Sequence, residues 1–276
     1  MSVSVSTFLF SKLFKNKTIV APISFGPFAY SWQEKFIAKI LKKVDHVAIR
    51  EVFSFEKLKK YQLNNLMLST DFAFFYGNKS RQLIKEKNNR PVLGFTIRNW
   101  LKEEQQESLE SEIIDAIKTF SKKEAFDVQP IVQVDGPKYG DYDSQIAEKI
   151  ANALKLSGIT VNNIHKVKNL NDALETYGSL DLLLGMRMHS NIMAATQGVP
   201  SIAISYEYKT DGIAKQMGLG DYVIYCESVT SQKLERLLLE INQNREELKD
   251  NILNNIFNIT STETKKWNHI FADLVN

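Results

Sequence analysis

The sequence predicts an α/β protein with two Rossmann-like domains, each built on a parallel sheet, that face each other across a cleft. Short apolar strands alternate with segments of helical periodicity along most of the chain, and this alternation is typical of parallel sheets covered by helices. The polar stretch at 77–90 interrupts it, which indicates a linker. We therefore expect a first domain with its linker at 1–88, a second domain at 89–250, and a C-terminal helix at 251–276.

The first domain is predicted to contain three strands and two helices in alternation. The strands are expected at 17–23, 46–49 and 66–69, and the helices at 32–44 and from Ser54, as the N-cap, to Tyr61. Ser24, Arg50 and Asp71 follow the three strands, and Gly26 lies in a turn that exposes backbone N–H groups. Because the carboxyl ends of parallel strands meet at the ligand-binding edge of such a sheet, we expect these side chains to lie together.

The second domain is predicted to open with a strand at 91–97, which ends at Arg98. Further strands are expected at 128–134, 159–161, 182–184, 201–205 and 222–225, and helices at 103–120, 142–156, 171–177, 191–197 and 231–249. With Arg50 and Arg187, Arg98 makes three arginines at strand ends. If the two domains face each other, these arginines can converge on the cleft.

The segment at 181–208 carries the most specific signal in the chain. An apolar strand leads into a turn at Gly185, and Arg187, His189 and Ser190 then arrive together where a helix begins. An arginine fork binds carboxylate or phosphate, a helix N-terminus attracts anions, and a histidine can carry a proton. The cluster therefore predicts a site for a small anion whose reaction needs proton transfer.

A structural interpretation of the same cluster stays open. Arg187 could pair with a carboxylate at the rim of the sheet, and His189 could only cap the helix. Under the functional interpretation, we expect Arg187→Ala to weaken ligand binding more than folding, because the loop lies at the rim.

Composition limits the classes of partner and compartment. The net charge of +3 and the pI of about 8.7 permit an anionic substrate or a peripheral membrane contact and require neither. Basic residues do not form a stripe with interleaved aromatics, so we expect no nucleic-acid partner. Cys226 is the single cysteine, which favours a reducing, cytoplasmic location. No apolar run is long enough to predict a membrane span.

Common nucleotide and hydrolase motifs are absent from the sequence. It contains no GxxxxGK[ST], GxGxxG, GxSxG or HExxH pattern. Asp141 and Asp143 resemble a pair of loop carboxylates, but no third ligand has the spacing for a metal. We therefore predict no metal site.

The segment at 185–219 resembles the polysaccharide pyruvyl transferase family. The shared pattern is Arg-x-His after an apolar strand, a small-residue helix ending in Gly-Val-Pro, a second strand, and Ser-Tyr-acid-x-Lys. The residues that fill it are Arg187, His189, Gly198, Pro200, Ser205, Tyr206, Glu207, Lys209 and Gly218. Upstream, ISFGPF, VAIRE, TDFAF and GFTIRNW resemble further family elements, so the similarity extends over roughly 17–219.

The resemblance implies phosphoenolpyruvate as donor and a sugar diol, free or lipid-linked, as acceptor, with a pyruvate ketal as product. His189 and Arg187 are the implied catalytic residues. The implied substrate contacts are Gly26, Arg50, Arg98, Ser190, Ser205, Tyr206, Glu207 and Lys209. Phosphoenolpyruvate is the co-substrate, and no other cofactor is implied. The family also implies a C-terminal helix that packs back on the first domain, and an enzyme that works in the cytoplasm or at the inner face of the membrane.

Two other functions remain open at this point. Family members usually carry further residues in front, including Gly-rich turns, so we expect the first domain to be incomplete. An inactive remnant that acts as a binding partner is therefore one alternative. The other is a glycosyltransferase of the two-domain GT-B type that uses a nucleotide sugar, in which Glu207 would bind the ribose.

Overall fold

The computed structural model describes residues 16–26, 28–78, 90–136, 141–207 and 209–275, with the backbone alone at 78, 141, 209, 274 and 275. The chain forms two compact units, Met1–Phe72 with Ile259–Asn276 (unit 1) and Ala73–Asn258 (unit 2). Most of the predicted linker, at 79–89, lies outside the described residues. The domain limits at 88 and 250 stay predictions.

Unit 1 is built on a parallel three-stranded sheet in the order β1-β2-β3. Its elements are β1 (Ile19–Ile23), α1 (Ser31–Leu41), β2 (His46–Ile49), α2 (Val52–Lys59) and β3 (Leu66–Leu68). The apolar side of α1, with Ala38 and Leu41, packs on Val47 and Ile49 of β2. The predicted alternation of strands and helices is therefore confirmed here.

The start of α2 corrects one expectation. Ser54 is not the N-cap, because α2 begins at Val52 and the cap is Glu51. The buried carboxylate of Glu51 accepts hydrogen bonds from the Ser54 N–H at 2.9 Å and from the Ser54 hydroxyl. A carboxylate at this position satisfies N–H groups that the helix itself leaves unpaired.

Unit 2 is built on a parallel six-stranded sheet in the order β11-β10-β9-β4-β5-β8. Its strands are β4 (Val92–Thr96), β5 (Asp127–Val132), β8 (His165–Lys166), β9 (Leu182–Gly185), β10 (Ser201–Ser205) and β11 (Val223–Tyr225), and a hairpin pairs β6 (Asp135–Gly136) with β7 (Asp141–Tyr142). Its helices are α3 (Glu103–Glu124), α4 (Asp143–Leu156), α5 (Leu170–Gly178), α6 (Met188–Thr196), α7 (Lys209–Met217) and α8 (Ser231–Gln243). A final helix, α9 (Arg245–Val275), belongs in part to each unit.

Several elements of this half differ from expectation: α3 extends to Glu124 instead of ending at 120, and α6 begins at Met188 instead of 191. The segment at 159–161 adds only one bridge, from Val161 to Val128, and the edge strand forms at His165–Lys166 instead. The long helix predicted at 231–249 ends at Gln243, and α9 begins at Arg245. The last two differences are a displaced strand and a predicted helix that is interrupted at Asn244, the C-cap of α8.

The C-terminal part of α9 packs within unit 1. Glu263 accepts a hydrogen bond from the Ser69 hydroxyl, and the Trp267 indole N–H donates to the same hydroxyl at 3.2 Å. Lys266 donates to the Leu68 carbonyl at 2.8 Å. These bonds attach the last helix to the end of β3.

The fold class is the predicted one, α/β with parallel sheets. Leu66 and Leu93 lie in separate sheets, as two Rossmann-like units require. In unit 2, the buried strands β4, β9 and β10 are direct neighbours at the centre of the sheet. The segments that follow these three strands therefore begin at one edge, which positions the candidate site.

Candidate functional site

The carboxyl edge of unit 1 brings its three predicted polar residues together. Arg50, after β2, donates through Nε to the Ser24 hydroxyl at 2.9 Å and through Nη1 to the Asp71 carboxylate at 2.6 Å. The convergence predicted from the strand ends is confirmed within this sheet. The Arg50 side chain is partly exposed, whereas Asp71 is buried.

The turn after β1 is fixed to the start of α2. The Phe25 N–H donates to the Ser54 hydroxyl at 2.7 Å, and Ser54 is held by the capping residue Glu51. Gly26 follows with a φ of +101°, a conformation that a side chain disfavours. Gly26 thus shapes the turn next to Ser24, and Pro27 lies outside the described residues.

In unit 2, the turn after β9 is packed too closely to admit a side chain. Asn191, in the first turns of α6, donates to the carbonyls of Gly185 and Arg187 at 3.0 and 3.1 Å. A Cβ at Gly185 would lie 2.5 Å from the Asn191 Oδ1. Sequence reasoning missed Asn191, although the glycine before the Arg-x-His element is the signal of this close approach.

Arg187 forms a buried, bidentate ion pair. Its Nε and Nη2 donate to the two oxygens of Asp143 at 3.1 and 2.6 Å, and the side chains of Arg187 and Asp143 are 11% and 2% exposed. Asp143 is the first residue of α4 and also accepts from the Val134 N–H at 3.2 Å. Asp143 was predicted only as a loop carboxylate.

This geometry corrects the expected consequence of removing Arg187. The structural interpretation, in which Arg187 pairs with a carboxylate at the sheet rim, describes the observed contact. Breaking a buried pair leaves one charge uncompensated, so Arg187→Ala should weaken folding markedly instead of sparing it.

Two predicted substrate contacts are buried. The Ser190 hydroxyl donates to the Arg187 carbonyl and accepts from the Thr96 hydroxyl at 2.8 Å. The Ser205 hydroxyl donates to the Glu207 carbonyl at 2.9 Å. Both serines are fully buried, so in this conformation they support the loops and do not offer their hydroxyls to a ligand.

His189 stands at the surface of the same loop. It is the second residue of α6, directly after Met188, and its side chain is exposed. The helix begins with Arg187 in extended conformation as N-cap. His189 is therefore accessible at a helix N-terminus, where the partial positive charge of the helix favours an anion.

Arg98 forms a cluster with two aromatic rings. Its guanidinium lies 4.9 Å from the Trp100 ring centroid and 5.0 Å from that of Tyr206. Arg98 Nη1 donates to the Tyr206 hydroxyl at 3.1 Å, and the two ring centroids are 4.5 Å apart. The predicted residues Arg98 and Tyr206 are therefore in contact, whereas Trp100 was not predicted as a site residue.

The backbone under this cluster is clamped by the buried side chain of Gln106. Its Oε1 accepts from the N–H groups of Trp100 and Leu101 at 3.1 and 3.3 Å, and its Nε2 donates to the Arg98 carbonyl at 3.3 Å. Gln106 also donates to Glu110 at 3.0 Å. A polar residue on an amphipathic helix gives no sequence signal for such a role.

Glu207 and Lys209 follow β10 at the same edge. The Glu207 side chain is half-buried, and its carbonyl accepts from the Thr210 N–H at 3.1 Å, which joins the loop to α7. Lys209 begins α7, and its side chain lies outside the described residues.

The described ranges give no support for a metal site, a membrane span or a reactive thiol. There, no three His, Cys, Asp or Glu side chains are grouped as metal ligands would be. No helix in those ranges has the length and apolarity to cross a bilayer. Burial, followed by the neighbouring Glu227, raises the pKa of the Cys226 thiol to about 11, which keeps it protonated and unreactive.

Comparison with known proteins identifies related sequences. The model of the polysaccharide pyruvyl transferase family matches residues 4–208. The amylovoran biosynthesis protein AmsJ of Erwinia amylovora is 31% identical over 71 residues, which are 26% of this chain and 17% of AmsJ. The aligned part of this chain thus spans much less than two thirds of that curated relative.

Solved structures with the same fold are distant in sequence. Anabaena Alr3699/HepE, in complex with UDP and glucose, superposes with a TM-score of 0.62 at 10% identity, over 97% of this chain and 75% of HepE. UDP-GlcNAc 2-epimerase from Neisseria meningitidis, bound to UDP-GlcNAc, gives a TM-score of 0.58 at 10% identity, over 94% and 72%. These similarities establish a GT-B-like fold.

Proposed function

The chain belongs to the polysaccharide pyruvyl transferase family, and from this premise we propose that it transfers the pyruvyl group of phosphoenolpyruvate to a sugar diol. Membership in the family implies a role in polysaccharide modification. The product of the proposed reaction is a cyclic pyruvate ketal on a cell-surface polysaccharide or its precursor.

The reaction needs one proton donor and one proton acceptor. A proton adds to the methylene carbon of phosphoenolpyruvate, a sugar hydroxyl attacks the central carbon, and the bond from that carbon to the phosphate oxygen breaks. The second hydroxyl then attacks the same carbon and closes the ring. The two hydroxyl protons are balanced by the new methyl group and the released hydrogen phosphate.

One observation carries the proposal: three segments that resemble the family pattern follow adjacent strands and begin at the same edge of the sheet. Arg98 follows β4, the Arg187–His189 loop follows β9, and Tyr206 with Glu207 follows β10. Phosphoenolpyruvate carries a carboxylate and a phosphate, which suit guanidinium groups and a helix N-terminus.

We assign different tasks to the arginines. The buried pair with Asp143 gives Arg187 the task of holding the α6 N-terminus in place. Arg98 is the donor-binding arginine of unit 2 in this proposal, because it follows β4 and its guanidinium is oriented by packing on two aromatic rings, and a planar guanidinium suits carboxylate or phosphate. Arg50, held by Ser24 and Asp71, is the candidate anion-binding group at the carboxyl edge of unit 1.

His189 is the proposed general acid or base. An exposed imidazole in the first turn of α6 can accept the proton of an attacking hydroxyl or deliver one to the methylene carbon. Glu207 and Lys209 complete the proposal as groups that orient the acceptor or the leaving phosphate.

Phosphate release from phosphoenolpyruvate, measured over a panel of lipid-linked and nucleotide-linked sugars, tests the reaction. With an acceptor that supports turnover, His189→Asn should lower the rate by about 10²–10⁴ while donor binding stays near the parent value. His269→Asn, an exposed histidine on α9, is the matched control and should turn over normally. A His189→Asn protein that matches the parent rate would limit His189 to capping α6.

The same panel separates the alternative activity. A GT-B glycosyltransferase would cleave a nucleotide sugar and would not consume phosphoenolpyruvate. Nucleoside diphosphate release without phosphate release would therefore replace the proposed function. Neither product with any acceptor would favour the non-catalytic binding partner.

We also propose that unit 1 docks on an anionic membrane surface, which would bring the enzyme to a lipid-linked acceptor. Trp32 and Phe36 are 62% and 50% exposed on α1 and share a stripe with the exposed Lys35 and Lys39, and the exposed Lys43 follows in the turn after the helix. Aromatic and basic side chains on one helix face are typical of interfacial binding.

The charge around α1 supports this proposal. Glu34, the single acidic residue of α1, forms salt bridges with Lys57 of α2 and with Lys60, the C-cap of that helix, so it does not neutralise the exposed stripe. The segment 31–60 contains eight basic and four acidic residues, a surplus larger than the +3 of the whole chain. The proposed location is the cytoplasmic face of the membrane.

Sedimentation with vesicles tests the docking surface. The protein should bind vesicles of phosphatidylglycerol and phosphatidylcholine in equal parts and should not bind pure phosphatidylcholine. The double variant Trp32→Ala/Phe36→Ala should lose binding, whereas Leu156→Ala, exposed on α4, should keep it. Equal binding by the double variant would reject this surface, and self-association measured without lipid would assign it to a second copy of the chain.

A further inference from the structure

The Arg98–Trp100–Tyr206 cluster spans the end of β9, the strand that leads into the loop with His189. Arg98 follows β4 and Tyr206 follows β10, and β9 lies between these two strands. Two inter-strand spacings separate β4 from β10, roughly 10 Å, so the Arg98–Tyr206 hydrogen bond must cross over the carboxyl end of β9. The cluster therefore lies above the turn from which α6 begins.

The cluster presents an exposed ring on a rigid base. Trp100 is 42% exposed although it contacts both Arg98 and Tyr206. The backbone from Arg98 to Leu101 is held by Gln106, whose position is fixed by its bond to Glu110. A large aromatic surface that stays exposed on a rigid support is suited to stacking with a ligand, because little side-chain freedom is lost on binding.

We propose that Trp100 is the platform on which a sugar ring of the acceptor stacks. This assignment rests on the proposed function, since it places the acceptor next to His189. One face of a pyranose carries C–H groups that pack on the electron-rich face of an indole, and its hydroxyls point outward in the plane of the ring. The Tyr206 hydroxyl, which accepts a hydrogen bond from Arg98, lies beside the indole and can donate to such a hydroxyl.

Binding of neutral glycosides, without donor and without turnover, tests the platform. Saturation-transfer NMR with the methyl glycosides of glucose, galactose and mannose reports which ring protons contact the protein. The parent protein and Trp100→Phe should show contacts to the C–H face of at least one glycoside, and Trp100→Ala should lose them. Trp32→Ala, an exposed tryptophan in unit 1, is the matched control and should keep them.

With an acceptor that supports turnover, the KM values of Trp100→Ala distinguish acceptor binding from donor binding. Trp100→Ala should raise the KM for the acceptor by about tenfold, the equivalent of one aromatic contact, and should raise it more than the KM for phosphoenolpyruvate, which changes only through the packing of Trp100 on Arg98. Trp100→Phe should restore most of the loss.

The outcomes separate the platform from the proposed function. Undiminished glycoside contacts in Trp100→Ala, or no contacts in the parent, would overturn the platform whatever the phosphate assay shows. Contacts to uridine that depend on Trp100, without contacts to any glycoside, would assign the ring to a nucleobase instead. Glycoside contacts that depend on Trp100 in a protein without phosphate release would keep the platform and reject pyruvyl transfer.

Discussion

Both sheets hold an arginine–aspartate pair at their carboxyl edge, but the two pairs differ in geometry and burial. In unit 2, Arg187 donates two hydrogen bonds to the Asp143 carboxylate, which is almost completely buried. In unit 1, Arg50 divides its donors between Asp71 and Ser24 and is more exposed. An arginine at a strand end can therefore serve as a buried support or as a surface group, and its partners decide which.

The largest expected loss of stability follows substitution in the buried Arg187–Asp143 pair. Asp143→Asn should destabilise unit 2 by about 3–5 kcal/mol, because the Arg187 charge stays buried without its counter-ion. Hydrogen exchange should locate the loss in β9 and α6. The double variant Arg187→Met/Asp143→Leu should recover much of the stability, since a buried pair can be replaced by apolar packing. Parent-like exchange in Asp143→Asn would show that the pair is not a support.

The second largest loss of stability is expected at Gly185, in the packed turn after β9 of unit 2. Gly185→Ala should cost about 1–3 kcal/mol, because the added Cβ overlaps the Asn191 side chain and forces the turn to shift. Gly136→Ala is the control, since a Cβ at Gly136 meets no atom of the described residues within 4 Å. Equal urea midpoints for the two variants would mean that the turn adapts freely.

The pair of unit 1 should tolerate change better. Asp71→Asn should cost about 1.5 kcal/mol, because the amide oxygen still accepts a hydrogen bond and Arg50 keeps Ser24. Hydrogen exchange at β2 and β3 measures this loss separately from unit 2. A loss as large as that of Asp143→Asn would remove the distinction between a support and a surface group.

The smallest effect is the acid sensitivity of unit 1. Burial raises the pKa of Glu34, but hydrogen bonds from Lys60, Lys57 and Tyr61 outweigh it and lower the pKa from 4.5 to about 2. A depressed carboxyl pKa stabilises the fold above the unfolded value and loses that contribution as pH falls from 4.5 towards 2. The free energy of unfolding of Glu34→Gln should therefore depend less on pH between 4.5 and 2 than that of the parent protein. An unchanged pH dependence would contradict the lowered pKa of Glu34.

Local sequence patterns were sufficient for the elements that end at the two edges. The bounds of β2 and β10 agree with prediction, because each is a short run of predominantly apolar residues that becomes buried in a parallel sheet. The placement of Arg50 directly after β2, and of Arg98 two residues after β4, was visible for the same reason. Hydrophobic periodicity indicates which side of an element is buried. Because parallel strands run in the same direction, the polar residues that follow them lie at one edge of the sheet.

The partners of those polar residues were decided only by the tertiary structure. Asp143 lies 44 residues before Arg187, and the order β9-β4-β5 brings the two together through a connection that no local pattern encodes. Gln106 is one polar residue among many on α3, and only the path of the chain after β4 makes it a clamp. The sequence by itself determined which polar residues follow the strands. Strand order determined which of these residues form buried pairs and which face solvent, because pairing depends on distances between segments that are remote in the chain.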